Sequence, residues 1–527
     1  MNWEAFIVFL IFFILVTVLG FVAARWRRGD LNQINEWGLA GRRFGTLITW
    51  FLLGGDLYTA YTFIAVPAAM YGLGAVSGFF AVPYTILVYP LIFVLMPRFW
   101  AVCKQHGYVT AADFVKGRFG SRSLALAVAF TGIIATMPYI ALQMFGIQVS
   151  LAALGIPINF LIFGIQVDIP LLIAFIVLAA YTYTSGLRAP AMIAIVKDIM
   201  IFVVLIVTLV YLPIRFGGFG HIFAAVHQKA TTTKTFFDLV PPKQYAAYVT
   251  LSLGSALALF LYPHSLTGTL SSSSARVVKR NTALLPIYSL MLGLLALLGY
   301  IAVAAHVKLI PGFGNNSAIP ALINQMFPSW FAGFAFAAIS IGALVPAAVM
   351  SIAAANLFTR NIYKEYFNRE ATDRQESSVA KITSLVVKFG ALLFIVYIPT
   401  QYVLNFQLLG GVWILQTLPA VFLGLFTRWF NRWAMLIGWA AGMIAGTGMF
   451  IATGLKSSIY PITIGNVTIP MYEAVSGVIL NLVLVLILTP IFEAIGLKRG
   501  QDQTVTDDYD EETAPVEPVE VGREALG

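Results

Sequence analysis

Ionisable side chains are scarce along most of this chain, and those that interrupt its apolar runs are the ones able to do chemistry. Asp56 stands in Leu52-Leu53-Gly54-Gly55-Asp56-Leu57-Tyr58-Thr59-Ala60-Tyr61-Thr62-Phe63, where two glycines and a dense set of hydroxyls break what should be lipid-compatible helix. A charge at the centre of an apolar helix costs on the order of 3 kcal/mol on the lenient insertion scale, so its presence asks for a function. The stretch predicts an unwound helix, in which freed carbonyls can ligate a cation and the next half-helix N-terminus can receive a carboxylate. The alternative is close helix packing at Gly54-Gly55 with locally bonded hydroxyls. Lys197-Asp198 lies about two turns into a run that opens Ser185-Gly186-Leu187-Arg188-Ala189-Pro190, which puts the lysine some 12 Å from the membrane face at about 1.5 Å per residue. Snorkelling rescues it only in part, and an ion pair with Asp198 is disfavoured because sequence neighbours point about 100° apart on a helix. A lysine held away from water can exchange a proton, so a coupling role is expected. Lys388, about two turns into its own run, is expected to snorkel. In Leu259-Phe260-Leu261-Tyr262-Pro263-His264, Pro263 must break the backbone ladder. His264 is either a titratable group or an ordinary hydrogen-bonded histidine.

The elements that must hold these residues follow from composition. Of 527 residues, 59% are apolar and 10% charged, against about a quarter charged in soluble domains. Runs of roughly 20 apolar residues recur, the length needed to cross a hydrocarbon core about 30 Å thick. They lack the alternating polarity of a membrane barrel. The fold class is therefore all-helical integral membrane, with about thirteen spans expected at 4–25, 46–72, 77–97, 122–152, 168–184, 189–213, 244–269, 283–309, 330–359, 380–398, 404–427, 434–453 and 472–495. The first run is followed by Arg25, Arg27 and Arg28, the reverse of a signal peptide's charge order, so it stays as a span. With the N-terminus outside, 24 of the 32 cations fall on the cytoplasmic side and 6 outside, a clear positive-inside bias. The net charge of +9 is thus a topology signal, and no nucleic-acid partner is expected. The two interruptions begin two blocks of five spans, 46–213 and 244–427, matching an inverted-repeat core. Residues 1–45 supply a first span and loop, 434–499 two peripheral helices, and 500–527 an acidic cytoplasmic tail expected to be disordered.

No phosphate loop, H-E-x-x-H, G-x-S-x-G or Cys/His cluster occurs, so neither a nucleotide engine nor an enzyme is expected, and no cofactor or metal centre. Cys103 is the lone cysteine and cannot form an intrachain disulfide. A channel would show a filter repeat or an acidic ring, whereas broken spans fit a transporter.

With these residues in view, the chain resembles the sodium:solute symporter family over residues 1–500. The resemblance is carried by Thr59-Ala60-Tyr61-Thr62-Phe63-Ile64-Ala65-Val66-Pro67, Ser185-Gly186-Leu187-Arg188-Ala189 and Asn361-Ile362-Tyr363-Lys364. Gly55-Asp56-Leu57-Tyr58-Thr59-Ala60-Tyr61-Thr62-Phe63 and Tyr262-Pro263-His264-Ser265-Leu266-Thr267-Gly268 look like the branch that takes up monocarboxylates such as lactate, pyruvate and alanine, with acetate and propionate as further candidate substrates. The resemblance implies a LeuT-like 5+5 inverted repeat core in the plasma membrane, working as a monomer among lipids. It also implies sodium coupling through carbonyls of the first broken helix, those of Gly55 and Tyr58, and a Ser-Thr pair on the ninth span. Counting back from Asn361 places that pair on Val345 and Pro346, which have no hydroxyl. The same alignment puts Ala194 where many members have Asp and Lys197 where many have Gln. In proton-coupled relatives of the fold a lysine replaces the ion, so proton symport through Lys197, with Asp56 and Gly55 beside it, is expected; sodium symport is the alternative. Substrate contacts are expected from Tyr58, Thr59, Tyr61, Thr62, Gln143 and Tyr262, since hydroxyls and amides suit a carboxylate and aromatic walls a small apolar body. Of another class is a membrane sensor or channel-like protein, which would want a folded cytoplasmic module or a filter.

Overall fold

The computed structural model describes residues 1–26, 29–158, 160–162, 165–397 and 403–510. Arg27, Arg28, Arg523 and the acidic stretch 511–527 lie outside the described residues.

Nine helices among the described residues are long and apolar enough to cross a membrane, and the number rises to 12 when each of three bent pairs is taken as one span. The expected fifth span is the helix Ile169–Ser185, whose 17 residues are short for a crossing. Among the described residues the strands form two hairpins, Phe160–Ile162 with Ile165–Val167 and Ile459–Ile464 with Val467–Tyr472. Apolar side chains such as Ile7, Ile11, Ile14, Ile206, Ile214 and Ile444 are exposed on helix surfaces, as lipid contact requires.

The helix Ser329–Phe358 occupies the centre and is buried along its whole apolar window. Its many alanines and glycines make this possible, because small residues let neighbouring backbones approach closely. It packs against Trp3–Val22, Arg122–Ala153, Arg188–Arg215 and Asp373–Tyr397.

The first predicted interruption is real: Thr46–Asp56 and Tyr61–Leu73 meet at 46°, with Tyr58 in extended backbone. So is the second, where Pro242–Leu259 and Pro263–Leu270 meet at 44° and Pro263 takes the first helical turn, where its missing N–H costs nothing. A third bend, between Leu404–Leu415 and Leu418–Leu425, was not anticipated. Gly186, at φ +56°, turns the chain between Ile169–Ser185 and the lysine helix Arg188–Arg215, a conformation that favours glycine. Arg188, at the start of that helix, is buried and pairs with Glu36.

The expectation of a disordered tail from residue 500 is corrected over its first ten residues. Asp502 pairs with Arg118 at 2.7 Å and with Arg428 at 3.1 Å, His106 lies 2.8 Å from Asp508, and Tyr509 is buried with the Arg98 and Arg118 guanidinium groups over its ring. Composition argued for disorder, but Asp502 meets Arg118, fixed on Ala111–Phe119, and Tyr509 lies under Arg98, fixed on Ala81–Gln105, and these contacts offset the ordering entropy.

Candidate ion and substrate site

The unwound turn frees backbone groups that must find partners away from water. Lys197, fully buried on Arg188–Arg215, reaches into the turn. Its Nζ donates to the carbonyls of Gly55 and Tyr58, the latter at 3.1 Å. A Cβ at residue 55 would sit 2.9 Å from that ammonium and 3.1 Å from Asp198 Oδ2, so glycine is what allows the lysine in. Asp198 Oδ1 lies 3.1 Å from Nζ. The expectation that Lys197 and Asp198 cannot meet is thus corrected: their Cβ atoms diverge, but the four-carbon lysine stem curls so that both tips converge on the turn. Tyr288 donates to Asp198 Oδ2 at 2.8 Å. Two carbonyls and one carboxylate therefore surround the ammonium, and the rings of Tyr58, Phe202 and Tyr288, the last bonded to that carboxylate, pack against one another.

On the fourth side, a Cβ at Gly342 of Ser329–Phe358 would lie 4.0 Å from the Tyr58 carbonyl oxygen. Val345, one turn further on, and Pro346 are fully buried and offer no side-chain oxygen. The ammonium is thus bonded to both carbonyls freed at the break, and neither Val345 nor Pro346 adds a side-chain oxygen from the central helix.

Asp56 is buried and turned toward the second broken pair, with His264 Nε2 at 3.3 Å and the Ser265 hydroxyl at 3.4 Å. It does not touch Lys197; it ties the two interruptions together. Tyr139 packs edge-on against both Tyr262 and His264. Beside them lies a cavity of about 30 Å³ lined by Tyr61, Tyr84, Tyr139, Ser255, Tyr262, Gln407 and Tyr472 among others. A wider vestibule of about 640 Å³, which shares Leu408 with the cavity, opens between the bent helices and the 459–472 hairpin.

Of the residues expected to contact substrate, Tyr61 and Tyr262 line the cavity. The other four are used otherwise. Tyr58 gives its carbonyl to Lys197, and its hydroxyl donates to the Tyr288 carbonyl at 3.3 Å. Thr59 Oγ1 accepts from the Tyr61 N–H at 3.0 Å, and Thr62 Oγ1 from the Thr59 N–H at 3.4 Å. Gln143 Oε1 accepts from the Ala60 N–H at 2.9 Å, while its Nε2 donates to the Tyr139 carbonyl. The physical reason is common to all four: an unwound turn in lipid leaves donors and acceptors that nearby polar side chains must satisfy. Lys388 is also corrected. Its Nζ does not reach a membrane face but is buried and donates to Ser384, which bonds Ser351.

Sequence reasoning missed Tyr84, Tyr139, Ser255, Gln407 and Tyr472. A usable signal existed for two of them. Tyr84 and Tyr139 sit inside apolar runs, whereas membrane tyrosines usually collect at the interfaces.

A family model described as the sodium:solute symporter family matches residues 37–446. The chain belongs to the sodium:solute symporter family. Among curated relatives, this symporter is 52% identical to a monocarboxylate transport permease protein of Rhizobium johnstonii, over 94% of this chain and 98% of the relative. It is 34% identical to an uncharacterized symporter of Bacillus subtilis, over 93% and 94% respectively. Among solved structures it is similar to a sodium-coupled sialic acid symporter in a substrate-bound, outward-open state, with a TM-score of 0.72 and 16% identity over 93% of this chain and 98% of that one. That likeness shows the LeuT-like symporter fold. The chain is a multi-span membrane transporter rather than an enzyme.

Proposed function

We propose that this symporter imports small monocarboxylates, such as lactate and pyruvate, with alanine, acetate and propionate as further candidates, and that a proton carried on Lys197 takes the place of sodium. The carrying observation is the Lys197 ammonium donating to the Gly55 and Tyr58 carbonyls at the break. When protonated, Nζ holds the broken turn through both carbonyls. As a neutral amine it has one N–H fewer and no charge, and its grip on the turn loosens. Transfer of the proton to water on the releasing side therefore changes the stability of the conformation that binds substrate, which is what coupling requires. The substrate class is supported by the name of the Rhizobium johnstonii relative; the tyrosine-walled cavity, which at about 30 Å³ has room for little more than water, supplies hydroxyl and amide groups for a carboxylate once it widens toward the adjoining vestibule. Residues 46–213 and 244–427 act as the two inverted repeats, with the N-terminus outside the cell and one chain forming the working unit. Sodium coupling is the second reading, favoured by the carbonyls exposed at the break and by the sodium-coupled solved structure.

Counterflow tests the substrate class without presupposing the ion. Proteoliposomes loaded with unlabelled lactate should take up labelled lactate transiently, and loaded pyruvate should drive the same exchange. Absence of exchange with every small monocarboxylate would contradict the proposed substrate.

A further inference from the structure

The polar atoms of the cavity are not all spoken for. Gln407 is only 9% exposed and its Oε1 has no hydrogen-bond partner; the Ser255 hydroxyl is likewise buried without one. Both residues line the cavity together with four tyrosines of the core, Tyr61, Tyr84, Tyr139 and Tyr262. Tyr472 closes it from outside the ten-span core, at the end of the 459–472 hairpin. There its hydroxyl donates to the Leu408 carbonyl at 2.7 Å and its N–H to Thr250. No lining residue carries a charge.

An unpaired buried amide and hydroxyl are costly unless something bonds them. A carboxylate alone leaves the Gln407 Oε1 without a partner, because a carboxylate only accepts. The Gln407 carboxamide and the Ser255 hydroxyl can each donate and accept, so they fit a neutral oxygen substituent, accepting from a hydroxyl or donating to a ketone. They do not fit an ammonium, whose charge would enter a lining without a carboxylate; of the buried acids nearby, Asp56 is turned to His264 behind Tyr139, and Glu473, which follows Tyr472, is not part of the lining. We propose that Gln407 and Ser255 read the oxygen on the carbon next to the carboxylate, so that the cavity selects 2-hydroxy and 2-oxo monocarboxylates over unsubstituted and 2-amino acids. Tyr472 sets the size limit as a fixed wall. This rests on the reading of the cavity as the monocarboxylate site.

The test is labelled lactate uptake by proteoliposomes holding the full chain, with pyruvate, propionate and alanine as competitors. In the unaltered protein pyruvate should compete at concentrations about tenfold or more below those needed for propionate or alanine, the size of effect expected when a buried polar group goes unpaired. Gln407→Leu should close the gap between pyruvate and propionate to about twofold or less, and Ser255→Ala, which removes a single oxygen, should narrow it in the same direction. Equal competition by all three acids in the unaltered protein would overturn the assignment, as would an unchanged gap in both variants. Absence of any lactate uptake by the unaltered protein is a separate failure, and it overturns the monocarboxylate reading itself.

Discussion

Lys197→Ala is expected to abolish accumulation of substrate against its gradient while leaving exchange of substrate down its gradient measurable. The side chain is fully buried, and its ammonium is bonded to the two carbonyls that the broken helix exposes. Alanine removes the ammonium proposed to carry the proton and leaves the two carbonyls it bonds unpaired in the membrane. A coupled carrier without its coupling ion is at best a facilitator, so accumulation ratios should fall to about one, since no second free-energy source remains. Unchanged accumulation by the variant would remove the lysine from the mechanism.

Asp198→Asn is expected to lower the thermal unfolding midpoint of the purified protein more than replacement of any exposed acid. Asp198 and Lys197 are both without exposure and 3.1 Å apart, and the Tyr288 hydroxyl donates to the same carboxylate. Taking one partner from a buried ion pair strands the other and typically costs about 3–5 kcal/mol. Removing both charges with side chains of similar volume is much milder. The double replacement Lys197→Met with Asp198→Leu should therefore recover most of the midpoint lost by Asp198→Asn, while gradient-driven transport stays lost. Equal midpoints for Asp198→Asn and the unaltered protein would show that the pair is not what fills this pocket.

How much of this was legible beforehand depended on whether a residue's meaning is local. A carboxylate inside Gly54-Gly55-Asp56 and a proline after Tyr262 are conspicuous in apolar runs, because lipid leaves backbone and charge no water to fall back on. Both breaks could be read from that alone, and the cation count framed the expected orientation. Partnerships are not local. Gln143 stood out as an intramembrane amide, yet nothing in its neighbourhood says that its target is the Ala60 N–H 83 positions away. Ser255, Gln407 and Tyr472 are single polar residues in separate segments, and only the fold brings them to one cavity. The rule that helix neighbours do not face one another failed for Lys197 and Asp198 because it describes Cβ directions, and a long flexible stem can override them. Lys388 was misread for the opposite reason: its length allows snorkelling, but Ser384, one turn away, gives the ammonium a bond at 2.8 Å within the bundle.

If the Lys197 ammonium takes the place of sodium at the break, the proton is the driving ion. The most direct measurement is accumulation of labelled lactate in proteoliposomes under a proton gradient and a sodium gradient imposed separately, each with the other ion clamped equal across the membrane. Accumulation driven by the inward proton gradient alone, indifferent to sodium, is the predicted result. Accumulation driven by sodium alone, with no response to the proton gradient, would contradict it.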